Sequence, residues 1–411
     1  MQDARGGRRG ARGRTRPDPH RQHVARRHLG GGPARRKPHS PRSLGRRPSR
    51  GPAGGSRDRS RIRRARGDHA LGARRGPAPE DRAARVSPDE RIVGWLRKAS
   101  GPLSGEELAR RLGCSRAAVW KRIAALRELG YGIAGRRPGG YALRTVPDRL
   151  GPAELAPHLR GAWRQVEWHE ETDSTQRVAR DRARAGAPEG TVVIAERQTA
   201  GRGRLGRSWH SPGGLNLYCS IVLRPSLAPG AVPQLALVAG IAAAAAIAEE
   251  IGRRPAIKWP NDVLVDGRKV VGIITEMECE LERVAHVILG IGVNLNAPRS
   301  AFPPELRRKA TSLRLATGRR VDRAAFTGRL LAALEARYGR FVRGGFASMR
   351  AEWEAHSSLT GADVRVVSFE GEVAGRVLGV DTDGALRVRR RGGNVVRILA
   401  GEVTVRHGYG R

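Results

Sequence analysis

The chain has 411 residues, enough for two or three domains, with only 4% aromatic residues and a formal net charge of +39. That charge is uneven: 26 of the 78 Lys and Arg fall within residues 1–85 against 6 of the 39 Asp and Glu, which places +20 there. Three scattered cysteines, Cys114, Cys219 and Cys279, form no Cys-x-x-Cys pair, so a disulfide framework and a cysteine-based metal site are both unexpected.

Residues 1–85 are Arg, Gly, Pro, Ser and His without aliphatic periodicity, and such a segment cannot bury enough apolar surface to fold. Three readings fit: a nucleic-acid-binding tail, a plain solvated tail, or non-native sequence from a misplaced start. The basic N-terminus has no apolar core of a secretory signal, and the expected compartment is a reducing cytoplasm.

From Val86 the pattern changes, and residues 86–146 are expected to form a winged helix-turn-helix. Ile92, Val93, Trp95 and Leu96 recur at helical spacing. Ser104-Gly105-Glu106-Glu107 reads as a capping box, and Gly113-Cys114-Ser115 as the turn. The next helix runs from Arg116 to Leu129, with Val119, Ile123, Leu126 and Leu129 inward and Arg116, Lys121 and Arg122 outward. Two short strands follow, with Arg136 and Arg137 at the wing tip. Those five basic residues are the candidate DNA contacts. A small helical domain that packs on its neighbour and touches no DNA has the same basic face.

Residues 145–160 read as a linker broken by Pro147, Gly151, Pro152 and Pro157. A central α+β domain over residues 147–358 mixes strand and helix signals. Asp173-Ser174-Thr175 reads as the cap of a helix starting at Gln176. Gly201-Arg202-Gly203-Arg204-Leu205-Gly206-Arg207-Ser208-Trp209 lies between two strand signals. Its glycines permit close backbone approach and its arginines offer fixed, forked donors, a combination suited to a phosphate or carboxylate. The apolar run from Leu235 to Ala248 reads as a buried helix, too short and alanine-rich for a bilayer, with Gly252 near its C-cap. Lys258-Trp259-Pro260-Asn261-Asp262 then opens a hairpin whose turn is Asp266-Gly267 and whose second strand, Val270 to Glu276, follows Lys269. Residues 359–411 show short alternating runs separated by Gly-containing turns, the pattern of a small all-β barrel.

Gly-Arg-Gly-Arg-x-Gly-Arg, Lys-Trp-Pro-Asn-Asp, Asp173-Ser174-Thr175, Gln198 and Gly290-Ile291-Gly292-Val293-Asn294 occur here in one order. Together they resemble the biotin–protein ligases, from about Pro88 to the C-terminus. The resemblance implies a helix-turn-helix, a mixed-sheet domain related to class II aminoacyl-tRNA synthetases, and an SH3-like C-terminal domain. It implies that biotin and ATP, with Mg²⁺, give biotinyl-5′-AMP, and that biotin passes to a lysine of a biotin carboxyl carrier domain. It also implies a biotin-responsive repressor that binds an operator as a ligand-induced homodimer.

Carried onto this chain, the resemblance makes Arg202, Arg204 and Lys269 the catalytic cations. It assigns biotin to Ser174, Thr175, Gln198, Gly201, Gly203, Trp209 and Gly272 together with those cations, and ATP to Lys258, Asn261, Asp262, Asn294, Thr311 and Ser312. Two departures stand out: Leu205 replaces a third arginine, and Gln176 replaces the usual Asn, which leaves the role of either side chain open. A lipoate or octanoate ligase shares the superfold but is expected to lack both long motifs. A biotin-sensing transcription factor without catalysis would not need Lys269 and Arg202.

Overall fold

The computed structural model describes residues 87–136, 139–281 and 283–405. The N-terminal tail, Arg137 and the last six residues lie outside that set. The first described unit is a three-helix winged fold: α1 (Pro88–Lys98), α2 (Gly105–Leu112), α3 (Arg116–Glu128), then the antiparallel pair β1 (Gly132–Arg136) and β2 (Gly140–Thr145). Each helix starts at a serine. Ser87, Ser104 and Ser115 accept from the backbone N–H of Glu90, Glu107 and Ala118 at 3.2, 3.0 and 3.2 Å. These bonds satisfy N–H groups that have no partner within the helix. The turn between α2 and α3 passes through Gly113 at φ +69°, a conformation natural to glycine. Val119, Ile123 and Leu126 of α3 close a small core with Ile92, Val93, Leu96 and Leu108. Leu129 does not join them: α3 ends at Glu128, which takes Leu129 off the inward stripe and leaves it 45% exposed.

The segment expected to be a linker is packed. Leu150, Leu155 and Leu159 are buried in the main core around the short helix α4 (Pro152–Leu155). Two contacts join it to the winged domain: Arg97 donates to the Ala153 carbonyl at 2.7 Å, and the Tyr131 hydroxyl donates to the buried Glu154 carboxylate. Its prolines and glycine read as breakers, but Gly151 and Pro152 open a helix too short to show periodicity.

The central domain follows as β3 (Val166–Thr172), α5 (Thr175–Arg184), β4 (Val192–Gln198), β5 (Leu217–Leu223), α6 (Gln234–Ile251), β6 (Ala256–Lys258), β7 (Asp262–Val265), β8 (Arg268–Glu280), β9 (Arg283–Val293), α7 (Leu313–Thr317), α8 (Arg323–Gly344) and α9 (Arg350–His356). Its sheet has the order β3-β4-β5-β9-β8-β7-β6. Only β3 and β4 run parallel, joined by α5, and the other pairs are antiparallel. Side chains alternate across the strands, so both faces are apolar and both are covered. Val193, Val222 and Ile288 meet Ala179 and Ala183 of α5, while Val192, Ile194, Ile221 and Leu289 belong to the larger core with α6 and α8. Helix α6 ends at the expected Gly252 cap, and by length and composition alone it is long and apolar enough to cross a membrane. Its Leu, Val, Ile and Ala side chains, except the half-buried Ala245, Ala248 and Ile251, are buried among the other elements.

The C-terminal strands β10 (Asp363–Ser368), β11 (Gly371–Val380), β12 (Leu386–Arg389), β13 (Val395–Ile398) and β14 (Glu402–Val405) form an antiparallel sheet ordered β13-β12-β11-β10-β14. The expected barrel closure is not seen: β13 and β14 are edges of an open sheet. Val364, Val366, Val377, Val380, Leu386 and Val388 merge with the main core. Trp259 reaches across, its indole N–H donating to the Gly384 carbonyl at 3.1 Å.

One buried charge cluster ties three segments together. The Arg323 guanidinium, fully buried, meets Asp148 at 2.7 Å and Glu196 at 2.8 Å, while Glu196 also accepts from the Leu150 N–H at 2.6 Å. Arg323→Ala strands Glu196 without a counter-charge in the core. We expect a loss of about 3–5 kcal/mol in denaturant-melting stability.

Burial raises the Glu154 carboxyl from its ordinary value of 4.5 to about 7. The folded state therefore holds this proton more tightly than the unfolded one. The stability it contributes is complete below about pH 4.5 and is lost as pH rises through about 7. Denaturation measured across that window should show a smaller loss of stability with rising pH in Glu154→Gln than in wild type.

Candidate active site

A cavity opens where the N-terminus of α5, the end of β4, the Gly-Arg loop and strands β5, β8 and β9 meet. Its floor exists because β8 and β9 bring glycines together in register: Gly272 faces Gly292, and Gly290 faces Ile274. A Cβ on Gly272 or Gly292 would lie 2.6 or 2.5 Å from the Trp209 ring, and one on Gly290 would lie 2.4 Å from Gln176 Oε1. The Gly-x-Gly of β9 is thus a space requirement on the strand, with the indole of Trp209 laid over it.

One end of the cavity is a polar chain. The Thr175 N–H and hydroxyl both donate to Gln198 Oε1, at 2.9 and 3.1 Å, and Gln198 Nε2 donates to the Ser211 hydroxyl at 2.9 Å. Thr175 Oγ1 also lies 2.9 Å from Ser220 Oγ, which donates to Gln176 Oε1 at 3.0 Å, while Gln176 Nε2 donates to the Ile288 carbonyl at 3.0 Å. Ser174 stands apart. It occupies the N-cap position of α5, but its side chain makes no cap bond; instead its own N–H donates to Asp173 at 2.6 Å. Its hydroxyl is buried on the cavity wall with no protein partner. A buried hydroxyl left open at a helix N-terminus is suited to a polar ligand.

The other end is cationic. Lys269 Nζ lies 2.6 Å from Asp262 Oδ1 and 5.4 Å from the centre of the Trp209 ring. Strand β8 is held there from behind: the Lys269 N–H donates to the Lys309 carbonyl and the Thr311 N–H to the Lys269 carbonyl, both at 2.9 Å. Arg204 Nη1 donates to Asn261 Oδ1 at 3.1 Å, and Asn261 Nδ2 donates to the Ile273 carbonyl at 2.9 Å. Arg202 lines the same cavity, its guanidinium 3.8 Å from Glu276. Burial lowers the pKa of Arg204, and it does the same to Lys258, where the nearby Asp262 carboxylate opposes it. Such depressed cations gain from an anion brought between them.

The Gly-Arg loop is a small hairpin. Arg202 bridges Ser208, Gly203 N–H donates to the Arg207 carbonyl at 2.7 Å, and Trp209 N–H to the Gly201 carbonyl at 2.8 Å. A Cβ on Gly201 would sit 2.5 Å from the Trp209 carbonyl. Leu205 is at the tip, 62% exposed with φ +56°, and lines no part of the cavity. An arginine at that tip position would therefore not be needed to line the cavity.

Of the residues singled out from sequence, Ser174, Thr175, Gln198, Arg202, Gly203, Arg204, Trp209, Asn261, Lys269 and Gly272 line this one cavity. Gly201 shapes the loop, and Asp262 and Lys258 flank Lys269. Asn294, Thr311 and Ser312 do not line it. The Asn294 N–H donates to the Val270 carbonyl, and Ser312 caps α7 by accepting from the Leu315 N–H. All three are buried; Asn294 and Thr311 bond the backbone of the Lys269 strand, while Ser312 donates to the Ala297 carbonyl. Sequence reasoning missed Ser220 and Glu276, and left Gln176 open. Ser220 is hidden in an apolar strand run, where a single hydroxyl leaves the pattern intact. In the winged domain, Arg116 and Lys121 are exposed on α3, but Arg122 turns back to pair with Asp89 at 2.8 Å. Arg136 ends β1, and Arg137 is outside the described residues.

Residues 168–294 match the Biotin/lipoate A/B protein ligase family, and residues 89–142 match an HTH domain. The chain is 41% identical over 286 residues to the bifunctional ligase/repressor BirA of Bacillus subtilis, covering 69% of this chain and 88% of that one. The chain belongs to the biotin–protein ligase family. Its helix-turn-helix sets it with the bifunctional ligase/repressors, including BirA of Escherichia coli, 32% identical over 74% of this chain and 92% of that one. A solved biotin–protein ligase from Aquifex aeolicus, in complex with biotin and ATP, superposes with a TM-score of 0.51 at 31% identity, over 59% of this chain and 99% of its own.

The two neighbouring hydroxyls separate structure from ligand. Thr175→Ala breaks two side-chain bonds and should lower stability by about 1–2 kcal/mol. Ser174→Ala breaks none and should leave the unfolding midpoint unchanged or slightly raised. Parallel thermal melts of the two variants check this.

Proposed function

We propose that this chain activates biotin with ATP as biotinyl-5′-AMP and passes the biotinyl group to a lysine of a biotin carboxyl carrier domain. The observation that carries the reading is the two-ended cavity: the unpartnered Ser174 hydroxyl beside the Thr175–Gln198 network at one end, Lys269 with Arg202 and Arg204 at the other, and the glycine strip under Trp209 between. The ureido ring of biotin offers N–H donors and a carbonyl acceptor that suit Ser174, Thr175 and Gln198. Its carboxylate, at the end of an apolar chain, then reaches the cations.

In the first step a carboxylate oxygen attacks the α-phosphorus of ATP. The bond to the bridging oxygen breaks and pyrophosphate leaves with the electron pair. Lys269, Arg202 and Arg204 offset the negative charge on the reacting oxygens, a role for fixed cations that needs no nucleophilic side chain. In this reading Lys269 gives up Asp262, and Arg202 gives up Glu276, as the anions arrive. Asp262, once released, would be the carboxylate to hold a nucleotide-borne Mg²⁺, which would offset charge on the phosphate oxygens. In the second step the acceptor lysine amine attacks the acyl carbon, AMP leaves, and the amine loses a proton. Closing of the Gly-Arg loop over the adenylate would shield it from water.

The same reading makes the winged domain a biotin-responsive operator binder. Adenylate binding would favour a homodimer spanning two half-sites. It takes the C-terminal sheet as SH3-like in kind, and places the chain in a reducing cytoplasm, where Cys114, Cys219 and Cys279 stay as the free thiols seen here.

Transfer of labelled biotin to a carrier domain, with lipoate as the competing acid, tests the ligase reading. Lipoate transfer without biotin transfer would move the assignment to lipoate ligation, and binding of biotin without turnover would make the chain a sensor. Lys269→Ala should lower kcat for adenylate formation by about 10²–10³-fold while changing biotin affinity much less. Equal losses in both would remove Lys269 from the chemistry.

A further inference from the structure

The recognition helix carries a feature that basic charge does not explain. Trp120, in the second turn of α3, is 61% exposed and has no ring or cation partner among the described residues. Trp95 in the same domain offers a contrast: the guanidinium groups of Arg91 and Arg111 lie 5.0 and 5.6 Å from its ring centre. Ala117, Trp120, Lys121 and Ala124 fall at i, i+3, i+4 and i+7, so they form one stripe on the side of α3 away from Val119, Ile123 and Leu126. Its apolar part is an indole between two methyl groups, with Lys121 beside them.

The basic residues of α3 divide around it. Arg122 is engaged by Asp89, and Arg127 donates to the Ile133 carbonyl at 2.9 Å. Arg116 and Lys121 remain exposed, one turn before Trp120 and beside it. Positive charge thus borders the apolar stripe in the N-terminal half of the helix, the half that reaches base edges when such a helix enters the major groove. In that groove the one apolar group on a base edge is the 5-methyl of thymine.

We infer that Trp120, flanked by Ala117 and Ala124, reads thymine methyl groups in the major groove, with Arg116 and Lys121 holding the flanking phosphates. The inference rests on the DNA-binding reading of the winged domain and adds which base feature that domain selects. It gives α3 an apolar rather than a hydrogen-bonding code at its centre.

The test uses the full chain saturated with biotin and ATP. A random-core duplex pool is enriched on the wild-type protein, and the enriched sequences are then synthesised with thymine or with uracil, which lacks only the methyl. The wild type should bind the uracil duplexes roughly fourfold more weakly for each methyl lost from the contact. Trp120→Ala should bind both alike, and Trp120→Phe, which keeps an apolar ring and a folded helix, should retain a preference for thymine. Equal wild-type binding to both duplexes, or a thymine preference that survives in Trp120→Ala, overturns the inference and leaves DNA binding standing. Failure to enrich any duplex defeats the DNA-binding reading itself. A change in self-association of Trp120→Ala by sedimentation, with thymine preference intact, would assign the stripe to a second copy of the chain and overturn the inference.

Discussion

The site depends on two facing glycines. Gly272 and Gly292 sit opposite each other on β8 and β9, and neither can carry a Cβ without striking the Trp209 indole. Because that strip of sheet is bare, the Gly-Arg loop can fold down onto it. Trp209 then lies on the floor, with Arg202 and Arg204 in the wall alongside. The same indole stands 5.4 Å from Lys269 Nζ. A side chain at either glycine would raise the loop, and the cations and the polar network would no longer face one space. The chemistry is therefore set first by what the strands lack.

Around that floor the protein keeps its charges paired in ways an anion can replace. Lys269 holds Asp262, Arg202 stands near Glu276, and Arg204 leans on Asn261. None of these contacts has the buried, multiply bonded character of the Arg323 cluster, which joins residue 148, β4 and α8. The contrast separates scaffold from site. Arg323 is fixed because breaking its contacts strands a buried charge, whereas the cavity cations meet partners near solvent that a phosphate or carboxylate can displace. The winged domain is attached through the Tyr131–Glu154 and Arg97–Ala153 contacts at α4, a short segment that also packs into the ligase core. Any coupling between ligand and DNA has this joint as a direct route.

Much of this was legible in the sequence where one residue type answers one local need. Ser87, Ser104 and Ser115 cap helices, Gly113 and Gly252 take left-handed turns, and Asp266-Gly267 closes a hairpin with both φ positive. The two long motifs brought most of the cavity lining with them. What escaped depends on contacts between distant segments. The packed stretch around Leu150 and Leu155 has too few residues for a period. Ser174 has a capping residue's identity and position, but its hydroxyl turns to the cavity. Arg122 has a DNA-binding residue's address, yet Asp89, 33 residues earlier, claims it. Asn294, Thr311 and Ser312 are buried outside the cavity lining, where Asn294 and Thr311 bond the Lys269 strand and Ser312 caps α7. The alternation in the C-terminal strands shows a sheet with one buried face, and it cannot say whether the edge strands meet.

The central claim is that this cavity forms a mixed anhydride between a carboxylic acid and AMP before any acceptor arrives. Biotin-dependent exchange of labelled pyrophosphate into ATP, with no carrier protein present, measures that step alone. The account predicts exchange that requires biotin and is lost when biotin is omitted. No exchange from a protein that binds both biotin and ATP would contradict it.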